Sequence, residues 1–276
     1  MQTQRFGFAV GVSLLCVLCS LFSPAILAAD EAAQAGKDII AKYGDAIVTL
    51  QLVVKTEMSM EGEEASKEEN KAEATGVIID PSGLTVASLS AVDPSEMMSK
   101  MMSSSEYNLK ISSEVTDLKI RLADGTEIPA KIALRDKDLD LAFIRPIQKP
   151  TKPLNVLDLS KQAKPALLDQ AIMLSRLGMI ANRTIAASVE RIQAIVEKPR
   201  TFYITGMSVG DLNLGGPVFA LDGNVIGLLI MRILPQRAGG ETSFSMFSMN
   251  DMPIMPMILP ASDILAAAKQ VPESVQ

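Results

Sequence analysis

The 276-residue chain contains no histidine and no tryptophan, and only two cysteines. Without an imidazole, no Ser-His-Asp or Cys-His couple can form, because the usual acceptor of the nucleophile's proton is missing. The common His-ligated zinc, iron and copper sites are excluded for the same reason. Both cysteines, Cys16 and Cys19, fall in an apolar leader. With that leader removed, the chain has no disulfide, thiolate nucleophile or Cys-metal cluster. Basic residues are also in deficit, with 26 Lys+Arg against 32 Asp+Glu. This balance argues against a nucleic-acid partner, since phosphate binding draws on clustered Lys and Arg.

What is present suits a globular protein. Apolar residues make up 48% of the chain, enough for a substantial core, and the length allows one large domain or two small ones. Residues 1–29 have a secretory layout. Arg5 is the lone charge, an apolar run extends from Phe6 to Phe22, and Ser23-Pro24 interrupts it before Ala25-Ile-Leu-Ala-Ala29. Cleavage is expected after Ala28 or Ala29; a retained membrane anchor is the competing reading. Leu precedes each cysteine, where a lipoprotein signal calls for a small residue. Removing the leader leaves 25 basic against 32 acidic residues, a balance of −7. Export without disulfides fits a bacterial periplasm or the outside of a bacterium. No later segment has the apolar length to span a bilayer.

Along the remaining chain, residues 31–43 read as an amphipathic helix with Ile39, Ile40 and Tyr43 apolar and Gly44 placed to stop it. The β-branched stretch Ala46–Val54 reads as a strand. Residues 55–74 then become acidic and lose bulky apolar side chains, which predicts a solvated loop between two strands. Gly76–Asp80, the turn Pro81-Ser82-Gly83 and Leu84–Ser88 make a hairpin. In a second insertion, 93–113, Asp93-Pro94-Ser95-Glu96 resembles a helix start that would put Met97, Met98, Met101 and Met102 on one face. Further strands are expected at 117–122, 128–134, 139–147, 170–176, 184–196, 201–207, 217–221, 224–232 and 243–249, with a closing helix at 261–270. Many short strands joined by turn signals, with helix only at the ends, predict an all-β sandwich or barrel.

Three stretches resemble, in order and spacing, the trypsin-like serine proteases of HtrA/Deg type. Gly76-Val-Ile-Ile-Asp-Pro-Ser-Gly-Leu-Thr-Val-Ala-Ser-Leu-Ser-Ala-Val92 is similar to the family's histidine-bearing segment. Lys119–Ile144, ending in Asp136-Lys-Asp-Leu-Asp-Leu-Ala-Phe-Ile144, is similar to the segment that supplies the aspartate. Gly210-Asp-Leu-Asn-Leu-Gly-Gly-Pro-Val-Phe-Ala-Leu-Asp-Gly-Asn-Val-Ile-Gly227 is similar to the segment with the nucleophile and oxyanion hole. Ile258–Ser262 resembles the final strand leading into a closing helix. The resemblance implies a double β-barrel of chymotrypsin type with short terminal helices. The first barrel would occupy about 45–147, a Pro- and Lys-rich link 148–165, and the second barrel about 166–260.

The same resemblance implies losses. Ser90 stands at the histidine position, Asp140 at the aspartate position and Leu214 at the serine position. Leu212, Asn213 and Leu214 take the oxyanion-hole positions, and no PDZ module is expected after the closing helix. A leucine has no nucleophilic atom, and a serine hydroxyl is no base near neutral pH. The expected product is a pseudoprotease with no cofactor that binds a peptide or protein partner. It would meet a membrane only if the leader stays uncleaved. Asp140 is expected to persist as a hydrogen-bonded structural carboxylate, accepting from Ser90. Along a strand, Asp136, Asp138 and Asp140 would share one face.

Two other readings remain open at this point. One is a serine-family hydrolase with a relocated site, drawing on Ser88 or Ser208. The other is a Cu(I)-binding exported protein, because thioether ligands select Cu(I) and Met246, Met249 and Met252 lie in a Met-rich segment. Against it, Met also fills irregular apolar gaps or makes an adaptable surface.

Overall fold

The structure is a computed structural model that describes residues 24–59, 66–95, 110–206, 214–233 and 254–274. The strand expected at 243–249, the helical face of Met97–Met102, and Ser208, Leu212, Asn213, Met246, Met249 and Met252 all lie outside these residues.

Twelve strands close into two six-stranded antiparallel barrels. The first comprises β1 (Ile47–Ser59), β2 (Ser66–Ile78), β3 (Thr85–Ser88), β4 (Lys110–Arg121), β5 (Glu127–Asp136) and β6 (Leu141–Pro146). Its strand order is β1-β2-β3-β6-β5-β4. The second comprises β7 (Gln170–Arg176), β8 (Ile185–Val196), β9 (Phe202–Thr205), β10 (Pro217–Ala220), β11 (Val225–Ile233) and β12 (Ile254–Pro260), ordered β10-β11-β12-β9-β8-β7. Helix α1 (Pro24–Tyr43) precedes the first barrel, α2 (Leu89–Val92) follows β3, and α3 (Ala261–Ala268) closes the second.

The strand pattern explains why the barrels associate. Several strands are buried on both faces and therefore read as continuous apolar runs rather than as alternation. In β1, Val48, Leu50 and Leu52 fill the first barrel, while Ile47 turns outward into the seam. In β7, Met173 fills the second barrel, while Ile172 and Leu174 turn into the same seam. The seam is thus a third apolar cluster. It gathers Ile47, Val86, Leu141 and Phe143 from one barrel and Phe219, Leu228, Ile230 and Leu259 from the other. Tyr43 of α1 stacks on Phe219 with ring centroids 5.4 Å apart, and Ile264 of α3 joins from the far end.

Four expectations are corrected. Residues 55–74 are not a loop: β1 and β2 stay paired as far as Met58↔Ser66, and β4 flanks β1 out to Ser59↔Lys110. The lost hydrophobicity reflects exposure rather than missing structure. Charges alternate across the pair, with Lys67 Nζ 2.6 Å from Glu57 and Lys55 Nζ 3.8 Å from Glu69. Helix α1 begins at Pro24 rather than residue 31 and runs through the expected cleavage position. Pro suits a first helical turn, and Ala25–Ala29 are mostly strong helix formers. Asp136, Asp138 and Asp140 do not share a strand face, because β5 ends at Asp136 and residues 137–140 form a turn. The closing helix stops at Ala268, two residues before the expected end.

One arginine fastens the second barrel to the chain entering the first. Arg176, at the end of β7, donates from Nε to the Ile47 carbonyl (2.8 Å) and from Nη2 to the Gly44 carbonyl (3.0 Å). Its Nη1 reaches the Arg183 carbonyl at 3.3 Å. Burial lowers the guanidinium from its ordinary value, and the charge of Asp45 offsets part of this. Beside it, Arg183 pairs with Glu73 of β2 across the same seam. Arg176→Ala leaves three carbonyls without their donor and is expected to cost about 2–3 kcal/mol, read by denaturant unfolding. Arg176→Lys, with one compact ammonium in place of a fork, is expected to recover less than half of that.

Candidate functional site

The site is built where β3 ends and the turn before β6 begins. Ser88 is the last residue of β3 and caps α2; its Oγ accepts from the Ala91 N–H at 3.4 Å. Ser is favoured at this position because its hydroxyl satisfies an orphan donor of the first turn. On the facing turn, Asp136 Oδ1 accepts from the N–H groups of Asp138 (3.1 Å) and Leu139 (2.9 Å). This side-chain-closed turn delivers Asp140 in a left-handed conformation, φ 56°, which Asp tolerates better than most residues. Leu89 N–H donates to the Asp140 carbonyl at 2.9 Å and locks the two segments together.

The Asp140 carboxylate is buried, at 6% exposure, and accepts four hydrogen bonds. Oδ1 takes both the N–H and the Oγ–H of Ser90, each at 2.7 Å. Oδ2 takes the Ser88 hydroxyl at 2.6 Å and the Met231 N–H at 2.9 Å. Met231 belongs to β11, so this one side chain joins the two barrels. Burial pushes the Asp140 carboxyl above the usual carboxylate range, and the four donors pull it back without cancelling the shift.

The turn carrying Leu214 comes to the same place. Gly215 N–H donates to the Leu229 carbonyl (2.7 Å), and Leu229 N–H donates to the Gly216 carbonyl (3.0 Å), which fixes the turn on β11. Gly215 has φ 84°, and a Cβ there would lie 2.5 Å from the Thr75 carbonyl oxygen and 3.1 Å from the Ser88 N. No side chain fits such an approach to the first barrel's backbone. Leu214 itself is half-buried against the interior of the second barrel, beside a cluster that includes Val218, Ile226 and Leu229.

The structure therefore brings Ser90 and Asp140 into direct contact and sets the 214–217 turn against Ser88. Two partners of Asp140 went unassigned from sequence. Ser88, a candidate relocated nucleophile on sequence grounds, is instead fully buried and engaged with Asp140. Its cap position at the end of Thr85–Ser88 is the signal that could have placed it. The Met231 donor is a main-chain group, and main-chain donors leave no mark in a sequence. Among the described residues, no group of three or more His, Cys, Asp or Glu could hold a metal ion.

With two closed barrels and this site between them, the fold is that of a chymotrypsin-like double barrel. Residues 74–228 match the trypsin-like peptidase domain, and the chain belongs to that family. No curated protein matches it.

Asp140→Ala strands two main-chain N–H groups and two hydroxyls in a buried setting. It is expected to cost about 3–5 kcal/mol in denaturant unfolding, if the chain folds at all. Asp140→Asn provides the non-titrating reference for the acid. Because the folded-state value is raised, the carboxyl's stabilising contribution is fully present below its unfolded value and is lost as pH rises through the folded one. The stability difference between the native chain and Asp140→Asn should therefore shrink with rising pH across that window and then level off.

Proposed function

We propose that this chain is an exported trypsin-like peptidase homologue of HtrA/Deg type that has lost its chemistry and acts by binding a peptide or protein. The observation that carries the reading is the state of Asp140. In a working triad the aspartate would hold an imidazole. Here both carboxylate oxygens are taken by serine hydroxyls and main-chain N–H groups. No histidine exists anywhere in the sequence. Leu214, at the nucleophile position, packs toward the second barrel and offers no attacking atom.

The arrangement supports a retained scaffold rather than a decaying one. The strained glycine, the turn on β11 and the contacts across the seam are all kept, while the groups that would move protons are replaced by groups that fill space. In this reading the partner is held at the rim between the two barrels. Residues 1–29 serve as the export signal in this reading, and the periplasm or the exterior is the destination.

A hydrolase relocated to Ser88 or Ser90 is disfavoured by the same geometry. Ser88 is enclosed, and the Ser90 hydroxyl donates to a carboxylate already holding three other donors. The test is to titrate fluorescent unfolded casein with the purified chain and follow both polarisation and fragment release. Saturable binding with no cleavage, and no labelling by a fluorophosphonate, is the expected result. Turnover that survives repurification and disappears in Ser90→Ala or Asp140→Ala would overturn the assignment.

A further inference from the structure

The outer arm of the first barrel carries an open sheet edge. On one side, β2 pairs with β1 from Ser66 to Val77; on the other it meets β3 only at Val77 and Ile78. Among the described residues, nothing pairs with the far edge of β2 between Ser66 and Ala72. From Glu73 the edge is occupied, because Glu73 meets Arg183 and Thr75 Oγ1 accepts from the Arg176 N–H at 3.3 Å. An open row of backbone donors and acceptors on an exposed strand is a template for a further strand.

The side chains on that edge follow a rule. Successive residues of a strand alternate faces, so Lys67, Glu69, Lys71 and Glu73 lie on one face in the order plus, minus, plus, minus. A second copy of β2 laid antiparallel, with Asn70 opposite Asn70, sets Glu69 against Lys71 twice by symmetry, within the open stretch. The other face then sets Glu68 against Ala72, with no like pair. Moving the register by one permitted step in either direction places Lys67 opposite Lys71 or Glu69 opposite Glu73, and centres the axis on a like pair. Two-fold antiparallel pairing allows only even steps, because directly opposed residues must be both hydrogen-bonded or both not.

We propose that the β2 edge is a homodimerisation surface, on which two copies join their first barrels through an antiparallel β2–β2 ladder centred on Asn70. The occupant is a second copy because the charge order is complementary to its own reversal. The neighbouring strand extends the lattice: Glu69 already faces Lys55, and Lys67 already faces Glu57. In the pair, Glu69 gains Lys71 of the second copy as a further neighbour of opposite sign. The edge lies on the outer arm, so the proposal is independent of whether the Ser90, Asp140 and Leu214 positions are inert. Opposed charges on exposed strands contribute modestly, so the dimer is a weak, concentration-dependent one that salt loosens.

Sedimentation of the purified chain across a concentration series is expected to show a monomer–dimer equilibrium. Glu69→Lys and Lys71→Glu each create two like pairs across the axis and should each raise the dissociation constant at least tenfold, with unchanged circular dichroism. Mixing the two variants restores opposite charges at both places, so a heterodimer should form where neither homodimer does. In a chain with Cys16→Ser and Cys19→Ser, Asn70→Cys should oxidise to a covalent dimer while Ala72→Cys should not, since residues 72 lie far apart across the axis. A chain that is monomeric throughout the series would overturn the proposal. So would a dimer indifferent to both charge reversals, or cross-linking equally efficient from residue 72.

Discussion

A buried carboxylate has to be surrounded by donors, and Asp140 meets this need by drawing on both barrels at once. Two hydroxyls and one N–H come from the end of β3 and the start of α2, and the fourth donor comes from β11. Burying the charge unpaired would cost several kcal/mol, so the segments supplying those donors are held to positions where they can reach it. The turn at 137–140, the cap at Ser88, and the approach of Gly215 to the Ser88 backbone all follow from that demand. The apolar seam holds the barrels together; the acid sets how they sit at this point.

The same contacts bear on what the cleft can do. A carboxylate whose two oxygens already accept four hydrogen bonds has little capacity left to orient another group, and the nearest hydroxyls are the ones it has engaged. The hydroxyls around Asp140 are fixed by it and poorly placed to move protons. The proposed binding role rests on that arrangement. Away from the cleft, the charged arm of β1 and β2 obeys a different logic. There the strands project beyond the barrel core, Ser66–Ala72 of β2 are exposed on both faces, and cross-strand ion pairs with a main-chain ladder replace apolar burial.

The double barrel was legible because three stretches, 76–92, 119–144 and 210–227, carry family-like spacing, and because turn residues such as Pro81-Ser82-Gly83 separate β-branched runs. The contact between Ser90 and Asp140 was legible from the same alignment of motifs. The arm at 55–74 was not. Alternation of apolar and polar residues reveals a strand only when one face is buried, and Ser66–Ala72 are exposed on both faces. The start of α1 was misplaced because Pro24 reads equally as a breaker and as a first-turn residue. The aspartates at 136, 138 and 140 looked like a strand face because their spacing fits one, whereas the side chain of Asp136 folds back to close a turn.

Composition alone decided that no imidazole can act in this protein, since absent atoms cannot be supplied by folding. Continuous apolar runs such as Leu141–Ile144 and Ala171–Leu174 decided that those strands would be buried on both faces. Only the tertiary structure decided which donors surround Asp140, since the Met231 N–H is one of hundreds of identical main-chain groups until β11 is set beside the first barrel. It also decided that, among the described residues, nothing lies along the outer edge of β2 from Ser66 to Ala72, because edge and centre differ in what lies alongside a strand and not in the strand's own residues.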